Sequence, residues 1–144
     1  MLIVRYDERE NFPWIDAVLR HNGENIYLKA KLDSGAAISA IPQFWARELR
    51  LTPLKSVAKM VKTASMGEDP DDSELHSVYP VELTLLAHKG NNIQAKLNVI
   101  DLKRPYVLLG WDFIREYRVI FNSFERVLGI YEKYELNADQ IQPV

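Results

Sequence analysis

The sequence contains no cysteine among its 144 residues. Disulfide bonds, thiol nucleophiles and thiolate metal ligands are therefore excluded. Histidine is also scarce: the three copies are isolated, and no His-x-x-x-His pair would place two imidazoles on one helix face. The acidic run at residues 68–74 lacks the central glycine and the terminal Glu spacing of a calcium loop. The sequence thus predicts neither a metal site nor a metal cofactor.

Long apolar runs and strong net charge are missing as well. No stretch of about eighteen apolar residues exists, and the first residues become charged too early for a signal peptide. The net charge of −2 gives no overall attraction to nucleic acid or to an anionic membrane. No glycine-rich phosphate loop is present, which argues against a nucleotide enzyme. We expect a soluble cytoplasmic protein without a nucleic-acid or membrane partner.

The length and composition are those of an ordinary globular protein. Apolar residues make up 47% and charged residues 26% of the chain. A chain of 144 residues is long enough to bury one core, and no linker or repeat divides it. We therefore expect a single domain spanning residues 1–144.

The clearest periodicity lies in residues 26–32. Apolar and polar side chains alternate there, which is typical of a half-buried strand. The apolar set is Ile26, Leu28, Ala30 and Leu32, and the other set is Tyr27, Lys29 and Lys31. Asp33 falls on the parity opposite to the apolar set. The strand therefore aims this carboxylate away from its own core face.

The rest of the chain is read as short strands with few helices. Asn22 and Gly23 form a strong hairpin signal, and further strand-like segments follow at regular turns. Residues 42–49 favour a short helix with Phe44 and Trp45 on its apolar side, and Asp112 can cap a second helix over residues 113–117. Residues 89–92 are predicted to be a turn. The pattern predicts an all-β fold: a closed or nearly closed β-barrel with one or two short helices.

The alternating strand runs directly into Asp33, Ser34 and Gly35. Taken alone, this tripeptide is consistent with an ordinary turn, because each residue type favours turns for local reasons. An apolar-apolar-Gly segment, Leu108-Leu109-Gly110, follows about 75 residues later. The order and separation of the two segments are more specific than either segment alone.

This pair of motifs resembles the retropepsin-like aspartic proteases, which comprise the retroviral proteases and their cellular and bacterial relatives. That family has a hydrophobic-Asp-Thr/Ser-Gly-Ala motif, a mobile flap, and an Ile/Leu-Leu-Gly-x-Asp/Asn motif before a short helix. The matching segments here are residues 32–36 and 108–112. The resemblance covers residues 26–131 and implies the retropepsin-like barrel.

The resemblance implies a role for each residue of the two motifs. Asp33 is the expected catalytic carboxylate, and the Ser34 hydroxyl would hydrogen-bond across a dimer axis. Gly35 would allow close backbone approach, and the Ala36 backbone would help to position an extended peptide. Leu108, Leu109 and Gly110 would form the floor of the active site. Ser39 is expected to satisfy backbone groups near the turn.

The resemblance also places a flap in the middle of the chain. A flap would exclude water and bind a peptide backbone by strand addition. The segment that matches the family pattern, with one extra residue, is Thr63, Ala64, Ser65, Met66 and Gly67. A plain β-hairpin with a mobile acidic tip is the alternative for this segment.

The chain holds only one Asp-Ser/Thr-Gly motif. Hydrolysis by carboxylates needs two of them sharing one proton, so a second copy must supply the partner Asp33. The prediction is a cofactor-free, homodimeric aspartic endopeptidase that cleaves extended peptides. The alternative is a catalytically silent dimerisation or peptide-binding module with the same fold.

Two positions depart from the retroviral pattern. Where retroviral members have an acidic residue and an Arg that form an ion pair, this chain has Ala37 and Trp111. An apolar contact can replace such an ion pair without loss of stability. We therefore expect the dimer geometry and the substrate subsites to differ from those of retroviral proteases.

Overall fold

The structure is a computed structural model, and it describes residues 1–7, 9–10, 12–54, 58–61 and 74–133. The predicted flap, residues 63–67, lies outside these ranges, as does most of the acidic run that follows it. In the described part of the chain, no helix is long and apolar enough to cross a membrane.

The described residues form twelve strands and two short helices in the order β1–β4, α1, β5–β10, α2, β11, β12. The first strands are β1 (Leu2–Arg5), β2 (Ile15–His21), β3 (Glu24–Leu32) and β4 (Ala40–Pro42). Helix α1 (Gln43–Glu48) precedes β5 (Ala58–Val61), β6 (Glu74–Ser77), β7 (Tyr79–Leu85), β8 (Lys89–Gly90), β9 (Ile93–Leu102) and β10 (Val107–Leu109). Helix α2 (Trp111–Ile114), β11 (Tyr117–Asn122) and β12 (Val127–Glu132) follow.

Six strands close a barrel in the order β10-β3-β2-β7-β9-β4. The closure depends on β10, which lies between two strands made much earlier in the chain. It pairs in parallel with β3, matching Leu108 to Lys31 and Leu109 to Leu32, and antiparallel with β4, matching Leu108 to Ala40. The prediction of a closed β-barrel with one or two short helices is confirmed.

Strand β3 shows the predicted alternation. Ala30 is fully buried and Leu28 half-buried, whereas Tyr27 and Lys29 are exposed. The hairpin that joins β2 to β3 turns at Asn22 and Gly23, whose φ angles are 48° and 81°. Positive φ at both central residues gives a turn whose twist matches the flanking strands.

Two smaller sheets accompany the barrel. One has the order β11-β12-β1-β8, and the other pairs β5 with β6. The turn predicted at residues 89–92 is corrected in part, because Lys89 and Gly90 form β8 and pair with Ile3 and Leu2. This two-residue strand forms only through its contact with β1, so the local sequence pattern does not predict it.

Buried apolar side chains form two clusters on the two sides of the β3–β10 sheet. The larger one includes Ala30, Val107 and Leu109 of the barrel and extends to Leu2 and Ile130 of the four-stranded sheet. The smaller one contains Ala40, Val78, Ile100 and Leu108. Neighbouring residues of β10 therefore face different clusters, as the alternation of a strand requires.

Both helices differ from the sequence prediction. In α1 the buried residue is Ala46, while Phe44 is 60% exposed, so the predicted apolar side is only partly right. Helix α2 begins at Trp111 rather than at Phe113, with Gly110 as its N-cap. Asp112 therefore lies in the first turn of α2 and is not its N-cap.

Candidate active site

The Asp33 turn, residues 33–36, begins where β3 ends. The Asp33 N–H donates to the Leu109 carbonyl at 2.9 Å, which extends the β3–β10 ladder by one residue. The Gly35 N–H donates to Oδ1 of Asp33 at 2.9 Å, and the Ala36 N–H donates to the Asp33 carbonyl at 3.2 Å. These bonds fix the Asp33 carboxylate relative to the barrel.

The Asp33 carboxylate reaches the surface of this single chain. Asp33 is half-buried, and Ser34 and Gly35 are exposed. Oδ1 accepts from Gly35, while Oδ2 has no hydrogen-bond partner among the residues that the structure describes. One oxygen thus holds the turn, and the Asp33 residue as a whole is partly accessible to solvent.

Gly110 packs directly against the chain that follows the Asp33 turn. A Cβ at this position would lie 2.7 Å from the Ala36 carbonyl oxygen and 2.9 Å from the carbonyl carbon and oxygen of Ile38. These are backbone atoms, which cannot rotate away as a flexible side chain could. Glycine is therefore required for the close approach of β10 to the turn.

Ser39 and Asp112 connect the same two segments through buried polar groups. The Ser39 side chain is fully buried, and its hydroxyl donates to Oδ1 of Asp112 at 2.7 Å and accepts from the Gly110 N–H at 3.1 Å. The Ser39 N–H donates to Oδ2 of Asp112 at 3.0 Å. Bonds that involve a carboxylate in a half-buried setting are strong, so this network locks β4 to the start of α2.

Sequence reasoning gave Ser39 a backbone-satisfying role but missed its bond to Asp112. Asp112 was interpreted as a helix cap, and it does accept from the Phe113 N–H at 2.9 Å. The available signal was a serine directly before the apolar strand β4, because a buried hydroxyl at such a place needs a partner. The partner is 73 residues away, so spacing alone does not reveal it.

Trp111 braces the turn from the other side. Its indole N–H donates to the Ser34 carbonyl at 2.6 Å, and its backbone N–H donates to the Ala36 carbonyl at 2.9 Å. The side chain is still 48% exposed. The residue that departs from the retroviral pattern therefore holds the turn within its own chain.

The predicted floor residues occupy different surroundings. Leu109 is buried in the barrel core, Leu108 belongs to the smaller cluster, and Gly110 contacts the backbone after the turn. Both backbone groups of Ala36 have partners inside the chain, since its N–H bonds to Asp33 and its carbonyl accepts from Trp111. The structure thus brings residues 33–36 and 108–110 together.

Helix α2 is anchored to β11 by stacked rings. Phe113 is buried, and its ring centroid lies 4.5 Å from that of Tyr117. Burial raises the pKa of the Tyr117 hydroxyl above its ordinary value, and the nearby Glu132 and Glu116 carboxylates raise the pKa further. Helix α2 therefore connects the Asp33 turn, through Trp111, to strand β11, through Phe113 and Tyr117.

No group of three or more His, Asp and Glu side chains is placed to hold a metal ion within the described ranges. The site is instead a single carboxylate on a turn that is held by backbone and side-chain hydrogen bonds.

No family model matches the sequence, and no curated protein matches it. Solved structures do show a similar fold. A foamy viral protease–reverse transcriptase in complex with an RNA/DNA hybrid aligns at 21% identity over 73% of this chain, with a TM-score of 0.48. The chain spans 12% of the length of that viral chain.

Two shorter structures are also similar. A retropepsin-like aspartic protease from Rickettsia conorii aligns over 88% of this chain and 86% of its own, at 18% identity and a TM-score of 0.47. The retroviral protease-like domain of Ddi1 from Leishmania major aligns over 89% of this chain and 100% of its own, at 16% identity and a TM-score of 0.43. At these identities the likeness concerns the fold alone.

Proposed function

We propose that this protein is an aspartic endopeptidase that acts as a homodimer, with residues 1–144 as one domain and the Asp33 carboxylates of two copies as its reaction centre. The observation that carries the proposal is the Asp33 turn. It presents a carboxylate at the surface, with one oxygen held by the Gly35 N–H and the other without a protein partner among the described residues. A fixed carboxylate beside an open surface is suited to act on a water molecule.

The proposed dimer follows from two facts: peptide hydrolysis of this type uses two carboxylates, and the chain has a single Asp-Ser-Gly motif. One Asp33 carboxylate takes a proton from water while the oxygen of that water bonds to the carbonyl carbon of the peptide. The other, protonated Asp33 donates its proton to the carbonyl oxygen. When the carbon–nitrogen bond breaks, the first Asp33 gives its proton to the leaving nitrogen, and the second Asp33 takes a proton back from a hydroxyl of the intermediate as the carboxylic acid forms. Two carboxylates that share one proton meet this need, and a twofold axis beside residues 33–35 provides them.

The remaining motif residues have supporting roles in the proposal. Ser34 and Gly35 are exposed and would face the partner copy, and Ala36 would lie beside the bound peptide. Leu108, Leu109 and Gly110 would support the turn from below. Residues 63–67, which lie outside the described ranges, are proposed as the flap. The reaction needs no cofactor, and we expect greatest activity at mildly acidic pH because one carboxyl must keep its proton.

The first test is the variant Asp33→Asn, assayed for cleavage of a denatured protein from acidic to neutral pH. We expect cleavage to be lost while the dimer persists in sedimentation. The matched control is Asp16→Asn, because Asp16 is a surface carboxylate on β2 that pairs with Lys29. Activity that survives Asp33→Asn would contradict the proposal.

A mixing experiment tests the shared site directly. Wild-type and Asp33→Asn chains are refolded together in equal amounts, so that two copies associate at random. If both Asp33 side chains are needed, about one quarter of the wild-type activity per dimer remains. About one half would remain if each copy worked alone, and that result would rule out a shared centre.

The silent module remains the second candidate, and one observation favours it. Trp111 and the Ala36 carbonyl complete the turn inside a single chain, so the turn needs no partner copy to take its shape. A module of this kind would bind extended peptides without cleaving them at any pH. Peptide binding by the wild type without cleavage is the result that would select it.

A further inference from the structure

Lys31 lies in an unusual setting close to the Asp33 turn. Its ammonium nitrogen is 4.7 Å from the centroid of the Phe12 ring and 4.9 Å from that of Tyr106. Trp14 contacts both rings, with centroids 4.8 Å from Phe12 and 5.1 Å from Tyr106. All four residues are half-buried. We call Phe12, Trp14 and Tyr106 the aromatic cage.

The cage holds the charge of Lys31 but does not neutralise it. Ring faces attract a cation without accepting its N–H groups as a carboxylate oxygen does. Within the described ranges, no carboxylate lies at ion-pair distance from Lys31. Lys29, two residues earlier on the same strand face, instead pairs with Asp16. The two lysines therefore differ in whether their charge already has a carboxylate.

Strand geometry places Lys31 beside the reaction centre of the proposed function. Side chains two residues apart on a strand point to the same face, so Lys31 and Asp33 share a face about 6.6 Å apart along the strand. Leu108, paired with Lys31 in parallel, lies on that face as well. An extended peptide also repeats its side chains on one face at this spacing.

We propose that Lys31, held by the aromatic cage, recognises an acidic side chain of the bound peptide and gives the Asp33 site a preference for Glu or Asp near the scissile bond. This inference rests on the proposed function for the position of the peptide. A cation that is already fixed loses little side-chain freedom when it binds a carboxylate, and its half-buried setting reduces screening by salt.

The test measures binding to the full-length Asp33→Asn variant, so that no peptide is consumed. The probes are short fluorescent peptides in which a single Glu is moved through the sequence, each matched by a peptide with Gln at the same place. At one position we expect the Glu peptide to bind about fivefold more tightly than its Gln partner. Adding Lys31→Gln should bring that ratio to about one.

Lys29→Gln is the matched control, because it removes a lysine from the same strand face and should leave the ratio unchanged. Tyr106→Phe keeps the ring and should also preserve the ratio, whereas Tyr106→Leu removes one wall of the cage and should lower it. Circular dichroism shows whether each variant is folded. A ratio that persists in Lys31→Gln, or that falls equally in Lys29→Gln, would overturn the proposal.

The two proposals fail in different ways. If the wild type cleaves peptides but the Glu and Gln peptides bind equally well, the proposal of an acidic-side-chain subsite is wrong and the proposal of a protease is retained. If the preference for Glu depends on Lys31 but the wild type cleaves nothing, the proposal of the subsite is retained and the proposal of a protease is wrong. If no peptide of either series binds, the subsite is overturned as well.

Discussion

Strand β3 has a turn at each end, and the two turns are built differently. The one before it is local: Asn22 and Gly23 take positive φ angles, and among the described residues only the chain neighbours of Gly23 lie within 4 Å of a Cβ placed there. The one after it starts at Asp33 and depends on hydrogen bonds to Leu109 and Trp111, which follow more than 70 residues later. The first turn follows from residue types alone, whereas the second requires the assembled barrel.

This difference separates a turn that only reverses the chain from one that holds a carboxylate in a fixed position. A local turn tolerates changes elsewhere, because its conformation comes from its own two residues. The Asp33 turn is fixed from outside, so its carboxylate keeps one position relative to β10 and α2. Changes in the distant brace should therefore disturb the Asp33 turn while leaving the Asn22–Gly23 turn intact.

The largest effect is expected for Gly110→Ala. The added methyl group would meet the Ala36 and Ile38 backbone at less than 3.0 Å, so β10 must move away from the turn. We expect the free energy of unfolding to fall by about 3 kcal/mol, together with loss of Asp33-dependent activity. Urea denaturation and the cleavage assay measure the two effects.

Gly23→Ala is the control for that variant, because it alters the local turn. The space around Gly23 is open, so only its φ of 81° is strained by a side chain, at a cost of about 1 kcal/mol. Activity measured under stabilising conditions should be retained. Equal losses in the two variants would contradict the distinction between the turns.

The next effect concerns the bond between Ser39 and Asp112. Because the Ser39 hydroxyl is fully buried, a double-mutant cycle with Ser39→Ala and Asp112→Ala should give a coupling energy of about 2 kcal/mol. The exposed pair of Lys29 and Asp16 provides the control cycle, for which we expect less than about 1 kcal/mol. A coupling no larger than that of the control would mean that the buried network does not hold β4 to α2.

A smaller effect is expected for Trp111→Phe. The variant keeps an aromatic ring but removes the N–H that donates to the Ser34 carbonyl. Because water can reach this exposed carbonyl, the loss of stability should be roughly 1 kcal/mol. Hydrogen exchange should become faster at the Gly35 and Ala36 amides. Trp45→Phe on α1 is the control and should leave those amides unchanged.

The smallest effect is a pH dependence through Tyr117. Burial raises the pKa of this phenol in the folded state, so the folded chain holds the proton at pH values where the unfolded chain has lost it. Stability should therefore decrease as the pH rises above the ordinary pKa of 10.0. In urea titrations, the free energy of unfolding of Tyr117→Phe should decrease less over the same pH range than that of the wild type. Equal dependence on pH in the two proteins would contradict the assignment to Tyr117.

The two turns also explain how much of the molecule was predictable from sequence. The alternation before Asp33, the Asn22–Gly23 hairpin and the barrel follow from local patterns, which report the periodicity of strands directly. The two-residue strand β8 was missed, because Lys89 and Gly90 extend only in contact with β1. The exposure of Phe44 was missed for a similar reason, since helix periodicity does not say which neighbours cover a side chain.

The site was predictable in its parts but not in its connections. The motifs at Asp33 and Gly110 identified the two segments that meet. The bonds from Ser39 to Asp112 and from Trp111 to Ser34 were not predicted, because they join residues 73 and 77 positions apart. Such contacts depend on how β10 enters the barrel, and residue spacing does not encode that path. The assignment of residues 63–67 as the flap stays a prediction, because these residues lie outside the described ranges.

The insertion of β10 between β3 and β4 also has a consequence for the order of assembly. Both flanking strands leave the ribosome long before residues 107–109, yet neither can complete its ladder without them. The nascent chain therefore carries Asp33 before the Leu109 and Trp111 backbone groups that bond to its turn have been made. Only after residues 107–109 have docked does the Asp33 carboxylate acquire its final surroundings, so the Asp33 turn is completed late in folding.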